Sequence, residues 1–233
     1  MHNLQALRRE RRIKQSLMSA VFIAVLAFAW KFPLLGYSIL LCMFLGVAIG
    51  ITQGRRWCDW YCPRGSFYDA YAGMLSPHRR IPDSLRGYPV RLGVLGLLMA
   101  VMVFSFLRYW PDFTRIGLAL VIMVSFTTIA GLFLAFFLHE RAWCMVCPVG
   151  TMIKLVSRRK DGLFIKSNAC VECKMCAQVC PLQIKAYAFK KEGDLPVADK
   201  DCLGCGLCVS ACPAKALYFS RQRSKKRKNL QGG

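Results

Sequence analysis

The feature that most constrains this chain is a cysteine motif that occurs twice near its C-terminal end. The first copy begins at Cys170 and reads C-x2-C-x2-C-x3-C-P, and the second copy begins 32 residues later at Cys202 with the same spacing. A disulfide framework joins distant cysteines in a short secreted chain, whereas tight runs of this kind supply thiolates to a metal centre. The spacing therefore predicts metal-bound thiolates in a reducing compartment.

The number of thiolates indicates which metal centre they bind. A [4Fe–4S] cluster needs four, and in such runs three close cysteines bind one cluster while the cysteine before proline binds the other. We therefore expect two clusters, with the ligand sets Cys170, Cys173, Cys176 and Cys212 (cluster 1) and Cys202, Cys205, Cys208 and Cys180 (cluster 2). Two zinc sites are the alternative, but the usual C-x2-C pairs of zinc lack the third cysteine and the Cys-Pro ending. The segment Leu163 to Phe219 resembles the bacterial two-cluster ferredoxins, which implies a small α+β domain that carries electrons.

Four apolar stretches in the first two-thirds of the chain have about the length of a membrane-spanning helix, which takes about 20 mostly apolar residues. They are Leu17–Phe32, Leu34–Ile51, Val90–Leu107 and Ile116–Leu138. The first stretch is marginal, so a re-entrant first pair is an alternative, and Ala27-Phe28-Ala29 also fits a signal-peptide cleavage pattern. We expect a membrane all-α four-helix domain, followed by a small α+β dicluster ferredoxin-like domain.

The basic residues that give the chain its formal net charge of +21 are concentrated in segments expected on one side of the membrane. Of the 33 Lys and Arg residues, 30 lie in the N-terminal tail, between Arg55 and Arg91, or after Leu138. Because basic loops stay in the cytoplasm, this predicts a multi-pass protein of the cell inner (cytoplasmic) membrane with both termini and all cysteine motifs cytoplasmic. The sequence contains no nucleic-acid-binding motif, so we expect no nucleic acid among its partners.

A second repeat follows the two expected helical hairpins. Trp57-Cys58-Asp59-Trp60-Tyr61-Cys62-Pro63 is echoed by Trp143-Cys144-Met145-Val146-Cys147-Pro148. One cysteine pair cannot supply a cubane cluster, but two pairs brought together by internal symmetry provide four thiolates. We therefore predict a third iron–sulfur cluster on Cys58, Cys62, Cys144 and Cys147, with a redox-active dithiol pair or structural zinc as alternatives. Ser66 and Thr151 are predicted to cap short helices after these motifs.

The four apolar stretches, the paired Cys-Pro motifs and the C-terminal two-cluster pattern together resemble the NapH-type membrane ferredoxins. Related groups are the NosR-like proteins and the copper-reducing assembly factors of cytochrome oxidase. Both membrane motifs of that family are usually C-x3-C-P, which Cys58 to Pro63 matches, whereas Cys144 to Pro148 is one residue shorter. The resemblance implies electron exchange between a membrane quinone and the clusters.

The predicted function is electron relay between the quinone pool, or a membrane partner, and a redox enzyme. On this hypothesis the chain is the membrane subunit of a quinol dehydrogenase, with the membrane, quinone and other redox subunits as partners. The alternatives are a pure electron-wire subunit without its own quinone site and a metal-reducing assembly factor. His139, Glu140 and Asp59 are the candidates for a quinone and proton site, although the simpler interpretation is that they are polar residues at a membrane interface.

We expect three regions along the chain. Residues 1–157 form the four-helix transmembrane domain with two cytoplasmic Cys-Pro motifs, residues 158–220 form the ferredoxin-like domain, and residues 221–233 form a basic disordered tail. Short strands are predicted at Leu163–Lys166, Ala186–Phe189 and Ala216–Phe219.

Overall fold

A computed structural model of the chain describes residues 2–157, 161–190, 194–197 and 199–221. Most elements are helices, and the small sheet lies in the last third of the chain. The helices are α1 (His2–Lys31), α2 (Ser38–Gln53), α3 (Arg56–Trp60), α4 (Pro63–Phe67), α5 (Gly73–Leu75), α6 (Asp83–Arg86), α7 (Tyr88–Tyr109), α8 (Phe113–Phe137), α9 (Ala142–Val146), α10 (Pro148–Val156), α11 (Met175–Gln178) and α12 (Leu207–Ala211). The tail expected at residues 221–233 begins one residue too early, because Arg221 is the last residue of a strand, and residues 222–233 lie outside the described residues.

Four helical segments among the described residues are long and apolar enough to cross a membrane. They are Leu4–Lys31, Pro33–Gln53, Tyr88–Tyr109 and Phe113–Phe137. Large apolar side chains on them face outward, and Phe44, Leu107 and Phe126 are each more than two-thirds exposed. An apolar surface of this extent is costly in water and stable against lipid, which suggests a membrane protein. Helix α1 begins well before Leu17 and so is longer than the sequence predicted.

The two helical hairpins meet at a pair of glycines. A Cβ atom at Gly36 would lie 2.4 Å from the carbonyl oxygen of Gly117, and one at Gly117 would lie 2.3 Å from that of Pro33. The turn between α1 and α2 therefore touches the backbone of α8 directly. Small residues at helix contacts permit this approach, which is a usual feature of helix packing in membranes.

The C-terminal domain contains a three-stranded antiparallel sheet with the order β2-β1-β3, where β1 is Asp161–Lys166, β2 is Asp194–Pro196 and β3 is Leu217–Arg221. The strands predicted near Leu163 and after Ala216 are confirmed. The strand predicted at Ala186–Phe189 is wrong, because that segment is a 3-10 helix. Both edges of β1 are already paired, and the backbone N–H of Tyr187 donates to Cys176 and not to a neighbouring strand.

The short helices after the membrane motifs each begin at a motif cysteine, and the thiol of Cys62 accepts a hydrogen bond from the N–H of Gly65. Cys62 is the N-cap of α4 and Cys147 is the N-cap of α10, each followed by a proline at the first helical position. Proline suits that position because its missing N–H has no partner there in any helix. The prediction that Ser66 and Thr151 are caps is therefore wrong, since both lie inside these helices.

Candidate iron–sulfur sites

Each predicted set of four C-terminal thiols lines one cavity. The first cavity is lined by Cys170, Cys173, Cys176 and Cys212, together with side chains of β1 and β3. The second is lined by Cys202, Cys205, Cys208 and Cys180, and Cys176 borders it as well. All eight cysteines are free of disulfide bonds. In each cavity three thiols come from one motif and one comes from the other.

The two C-terminal motifs share the same unusual backbone turns. Three residues of the first motif have a positive φ, and so do the residues 32 positions later: Glu172 and Gly204, Lys174 and Gly206, and Gln183 and Lys215. Left-handed backbone costs a side-chain-bearing residue roughly 1–2 kcal/mol. Because the left-handed conformation occurs at matching positions of both motifs, we infer that these turns are needed to carry the chain around each cavity.

Backbone N–H groups point at the cysteine sulfurs in these cavities. The N–H of Ala216 donates to Sγ of Cys212 at 3.3 Å, and those of Ile184 and Leu182 donate to Cys180. Such donors stabilise thiolate charge and set the reduction potential of an iron–sulfur cluster. Four thiols around one cavity with donors on their sulfurs therefore fit the predicted [4Fe–4S] clusters.

The four membrane-motif thiols also come together, although they belong to two repeats 86 residues apart. Burial, together with charge on Cys147 and Cys144, raises the pKa of the Cys58 thiol to about 11, although Arg55 opposes the shift. Cys62 is half-buried, and burial together with charge on Cys58 and Cys147 raises the pKa of its thiol as well. Thiols that raise one another's pKa lie near one another, and ionising all four there requires compensating positive charge. This donor set fits a metal centre of the predicted kind despite the shorter second motif.

Two arginines that the sequence analysis missed connect the two repeats. Arg55 lies three residues before Cys58 and donates to the carbonyl oxygen of Cys144 at 2.5 Å. Arg141 lies three residues before Cys144 and donates to the carbonyl oxygen of Cys58 at 2.9 Å. Both guanidinium groups are fully buried. The repeated pattern Arg-x-Trp-Cys could have pointed to both arginines. In the structure, each repeat supplies a cation to the other.

A glycine in each repeat makes room for the arginine of the other repeat. A Cβ atom at Gly150 would lie 2.9 Å from Nη2 of Arg55, and a Cβ atom at Gly65 would lie 3.3 Å from Nη1 of Arg141. Any larger residue would displace the guanidinium group from the cysteine carbonyl. The pairing of glycine with arginine therefore follows the same pseudo-two-fold relation as the cysteines.

Asp201 links the membrane motifs to the C-terminal domain. Its carboxylate accepts hydrogen bonds from Arg55 at 2.7 Å, from Arg91 at 2.7 and 2.8 Å, and from Lys154 at 3.0 Å. These cations hold the pKa of Asp201 far below its usual range although burial opposes them. Since Asp201 directly precedes Cys202, the ion cluster ties a predicted ligand of cluster 2 to the membrane motifs.

The three residues predicted for a quinone and proton site separate into two groups. Asp59 is buried and ion-paired with Arg11 at 2.7 Å and with Arg141 at 3.4 Å. His139 and Glu140 contact each other at the end of α8, with Nδ1 and Oε2 3.2 Å apart. Arg141 lies between the groups, because its backbone N–H meets His139 while its side chain reaches Asp59.

Comparison with known proteins supports the grouping of the cysteines. A model of a 4Fe-4S dicluster domain matches residues 163–218, and a model of a 4Fe-4S binding domain matches residues 35–82 and again 118–165. The first match contains both C-terminal motifs. The second matches the second long helix of each hairpin together with the cysteine motif that follows it, once in each repeat.

Similar chains occur in an archaeon and in a bacterium. The chain is 24% identical over 196 residues to an uncharacterized protein of Methanocaldococcus jannaschii, covering 75% of this chain and 82% of that protein. A second uncharacterized protein of that organism is 22% identical over 180 residues, covering 74% and 71% respectively. The putative electron transport protein YccM of Escherichia coli (strain K12) is 26% identical over 180 residues, which span 66% of this chain and 49% of YccM. No solved structure matches.

The matched domain models and the converging cysteines describe the same sites. One dicluster match covers the paired C-terminal cavities, and the doubled match covers the two units that supply Cys58, Cys62, Cys144 and Cys147. Four apolar helices carry these sites. Together they support a ferredoxin-like iron–sulfur protein.

Proposed function

We propose that this chain is a membrane-anchored electron-transfer protein of the NapH-type or NosR-like kind, with residues 1–157 in the membrane and residues 158–220 as the ferredoxin-like domain. It relays electrons between the quinone pool, or a membrane partner, and a redox enzyme. When bound, iron–sulfur clusters supply one-electron transfer, which divides a two-electron quinol oxidation into single steps. The similarity to YccM, a putative electron transport protein, supports this assignment.

The observation that carries the proposal is a direct polar connection between the membrane motifs and the C-terminal domain. Arg55 donates both to the carbonyl oxygen of Cys144 and to the carboxylate of Asp201, the residue before Cys202. Arg91, at the start of α7, holds the same carboxylate through two further bonds. Precise function requires such fixed placement by buried supporting residues. A domain that only tethered a soluble ferredoxin would have no need of this buried contact.

An exposed apolar patch marks where a redox partner docks. Cys173 lines the first cavity and is exposed, and its neighbours Val171 and Met175 are 70% and 41% exposed. Exposed apolar side chains beside a cofactor cavity are typical of an interaction surface. The second cavity lies next to the membrane motifs through Asp201. We infer that the first cavity faces the soluble partner and that the second faces the membrane side.

The same patch favours a second candidate function, a pure electron-wire subunit within a larger complex. In that case electrons enter from another membrane subunit and no quinone binds to this chain. His139 and Glu140 are the candidates for taking protons from a quinol in the first function, whereas Asp59 is already paired with two arginines. Reduction of the protein by a quinol analogue alone, in liposomes, separates the two functions.

The orientation in the membrane forms part of the proposal. The first turns of α1 contact the ferredoxin-like domain, since a Cβ atom at Gly206 would lie 3.6 Å from Leu7. The N-terminus, the membrane motifs and the C-terminal domain therefore share one end of the helices. Because this end carries nearly all of the basic residues, we assign it to the cytoplasmic face of the inner membrane.

Iron content tests the cofactor part of the proposal. We expect about 12 irons per chain, since three cubane clusters contain four irons each. Cys58→Ser and Cys144→Ser should each remove about four irons and one EPR signal, while Gly93→Ala, which has open space around it, serves as the control. A content of about eight irons together with stoichiometric zinc would exclude the third cluster.

A further inference from the structure

Two histidines and a glutamate converge at the end of α8, outside the cysteine sites. Oε2 of Glu140 lies 3.0 Å from Nδ1 of His78 and 3.2 Å from Nδ1 of His139. One ligand atom from each residue lies within 4.8 Å of the others. Among the described residues, no other group of three His, Cys, Asp or Glu side chains brings its ligand atoms this close together. His78 is 61 positions from His139 along the chain, so only the fold brings them together.

The backbone around this cluster is held in place. The N–H of Arg79 donates to the carbonyl oxygen of Leu138 at 2.8 Å, which fastens the loop carrying His78 to the end of α8. The N–H of His78 donates to Oγ of Ser76, and His78 itself has a φ of 49°. A non-glycine residue in this left-handed region is uncommon and needs a reason. The conformation directs the His78 ring toward Glu140.

The hydrogen bonds alone leave one contact unexplained. The backbone N–H of Arg141 lies 3.2 Å from Nδ1 of His139 and is placed to donate to it; a neutral imidazole that accepts this bond has a lone pair and no proton on Nδ1. Oε2 of Glu140 lies 3.2 Å from the same nitrogen. Two lone-pair atoms at that distance repel each other. A cation between the Glu140 carboxylate and the two imidazole rings would remove this repulsion. To bind Nδ1 of His139 it would displace only the 3.2 Å hydrogen bond from the N–H of Arg141.

The spacing of these atoms suits a small divalent ion. Zinc binds His nitrogen and carboxylate oxygen at about 2.0–2.2 Å, so ligand atoms around a tetrahedral zinc ion are about 3.3–3.5 Å apart. The observed separations of 3.0 and 3.2 Å need only a small outward shift.

We propose that His78, His139 and Glu140 bind one divalent transition-metal ion, of which zinc is the best fit, at the end of α8. Two histidines and one carboxylate leave at least one coordination position open. The His78 side chain is 61% exposed, so that position is reachable from solvent, whereas the His139 side chain is only 6% exposed. The site uses nitrogen and oxygen ligands and is therefore chemically distinct from the four-thiolate sites. A zinc ion there would occupy His139 and Glu140, the candidates for taking protons from a quinol, so the site agrees with the electron-wire function and argues against proton uptake at these two residues.

Zinc titration of the full-length, cluster-loaded protein in detergent tests the proposal. After treatment with EDTA, calorimetry should detect one zinc ion per chain, with nitrogen and oxygen ligands and no sulfur in zinc X-ray absorption. Glu140→Gln should abolish this binding, and His78→Asn should weaken it at least about 10-fold, the lower end of the loss seen when even a supporting residue is removed. His2→Asn, at the third histidine of the chain, is the matched control and should bind as the unmodified protein does.

The variants are chosen so that misfolding does not imitate the result. Asparagine tolerates the left-handed backbone of position 78, and glutamine has the shape of Glu140. Iron content and EPR signals should stay unchanged in both variants, which separates failure of this proposal from failure of the proposed function. Absence of zinc binding, unchanged affinity in His78→Asn, or sulfur ligation of the zinc ion would each overturn the proposal.

Discussion

Asp201→Asn is the most direct test of how the ferredoxin-like domain is held against the membrane motifs. The Asp201 side chain is 5% exposed and is surrounded by Arg55, Arg91 and Lys154, of which the two arginines are at most 1% exposed. Asparagine keeps the shape of the side chain but removes its charge. Two guanidinium groups and an ammonium group would then share a buried space without an anion.

The expected cost follows from the chemistry of buried ion pairs. Removing one partner of such a pair destabilises a protein by about 3–5 kcal/mol, mainly because the remaining charge stays buried without compensation. Here a single carboxylate compensates two fully buried arginines. We therefore expect Asp201→Asn to lower the free energy of unfolding by about 3–5 kcal/mol, since its amide can accept hydrogen bonds but cannot balance the charge.

Urea unfolding of the detergent-solubilised protein, followed by tryptophan fluorescence, measures this change. Asp83→Asn is the matched control, because the Asp83 side chain is 80% exposed and lies 3.8 and 4.0 Å from Arg80 and Arg86. Exposed pairs of this kind contribute about 0–1 kcal/mol. If Asp201→Asn changed the free energy of unfolding no more than Asp83→Asn does, Asp201 would not be the anchor between the two parts.

Three other predictions concern the cysteine sites. Gly65→Ala and Gly150→Ala should displace the buried arginines and lower the iron content by about four per chain, whereas Gly93→Ala, with open space around it, should not; elemental analysis measures the difference. Lys174→Gly should raise the thermal midpoint of the cluster-loaded protein, since it relieves a left-handed residue worth roughly 1–2 kcal/mol, and Gly206→Ala should lower it; equal midpoints would refute the assignment of strain. Removing iron with a chelator should unfold the C-terminal domain, as its cavities are lined by the cysteines themselves, and retention of its protease resistance without iron would contradict this.

The sequence alone determined the features that depend on local spacing. Four apolar stretches were recognisable because a helix in lipid satisfies its own backbone hydrogen bonds and needs only length and hydropathy. The two C-terminal thiol sets were recognisable because cluster ligation requires fixed distances along the chain, and the structure brings each set to one cavity. The strand at Leu163–Lys166 was predicted, whereas Ala186–Phe189 was assigned wrongly because it forms a 3-10 helix in which the N–H of Tyr187 serves a cysteine and those of Ala186 and Ala188 bond to nearby carbonyl oxygens.

Only the tertiary structure decided which distant charges meet. Arg55 and Asp201 are 146 positions apart, and His78 and Glu140 are 62 positions apart. No periodicity or spacing in one chain predicts such pairs, because each residue alone is compatible with an exposed position. The identity of their partners depends on how the hairpins pack and where the C-terminal domain docks. A buried charge is stable only beside its partner, so these pairs are consequences of the complete fold.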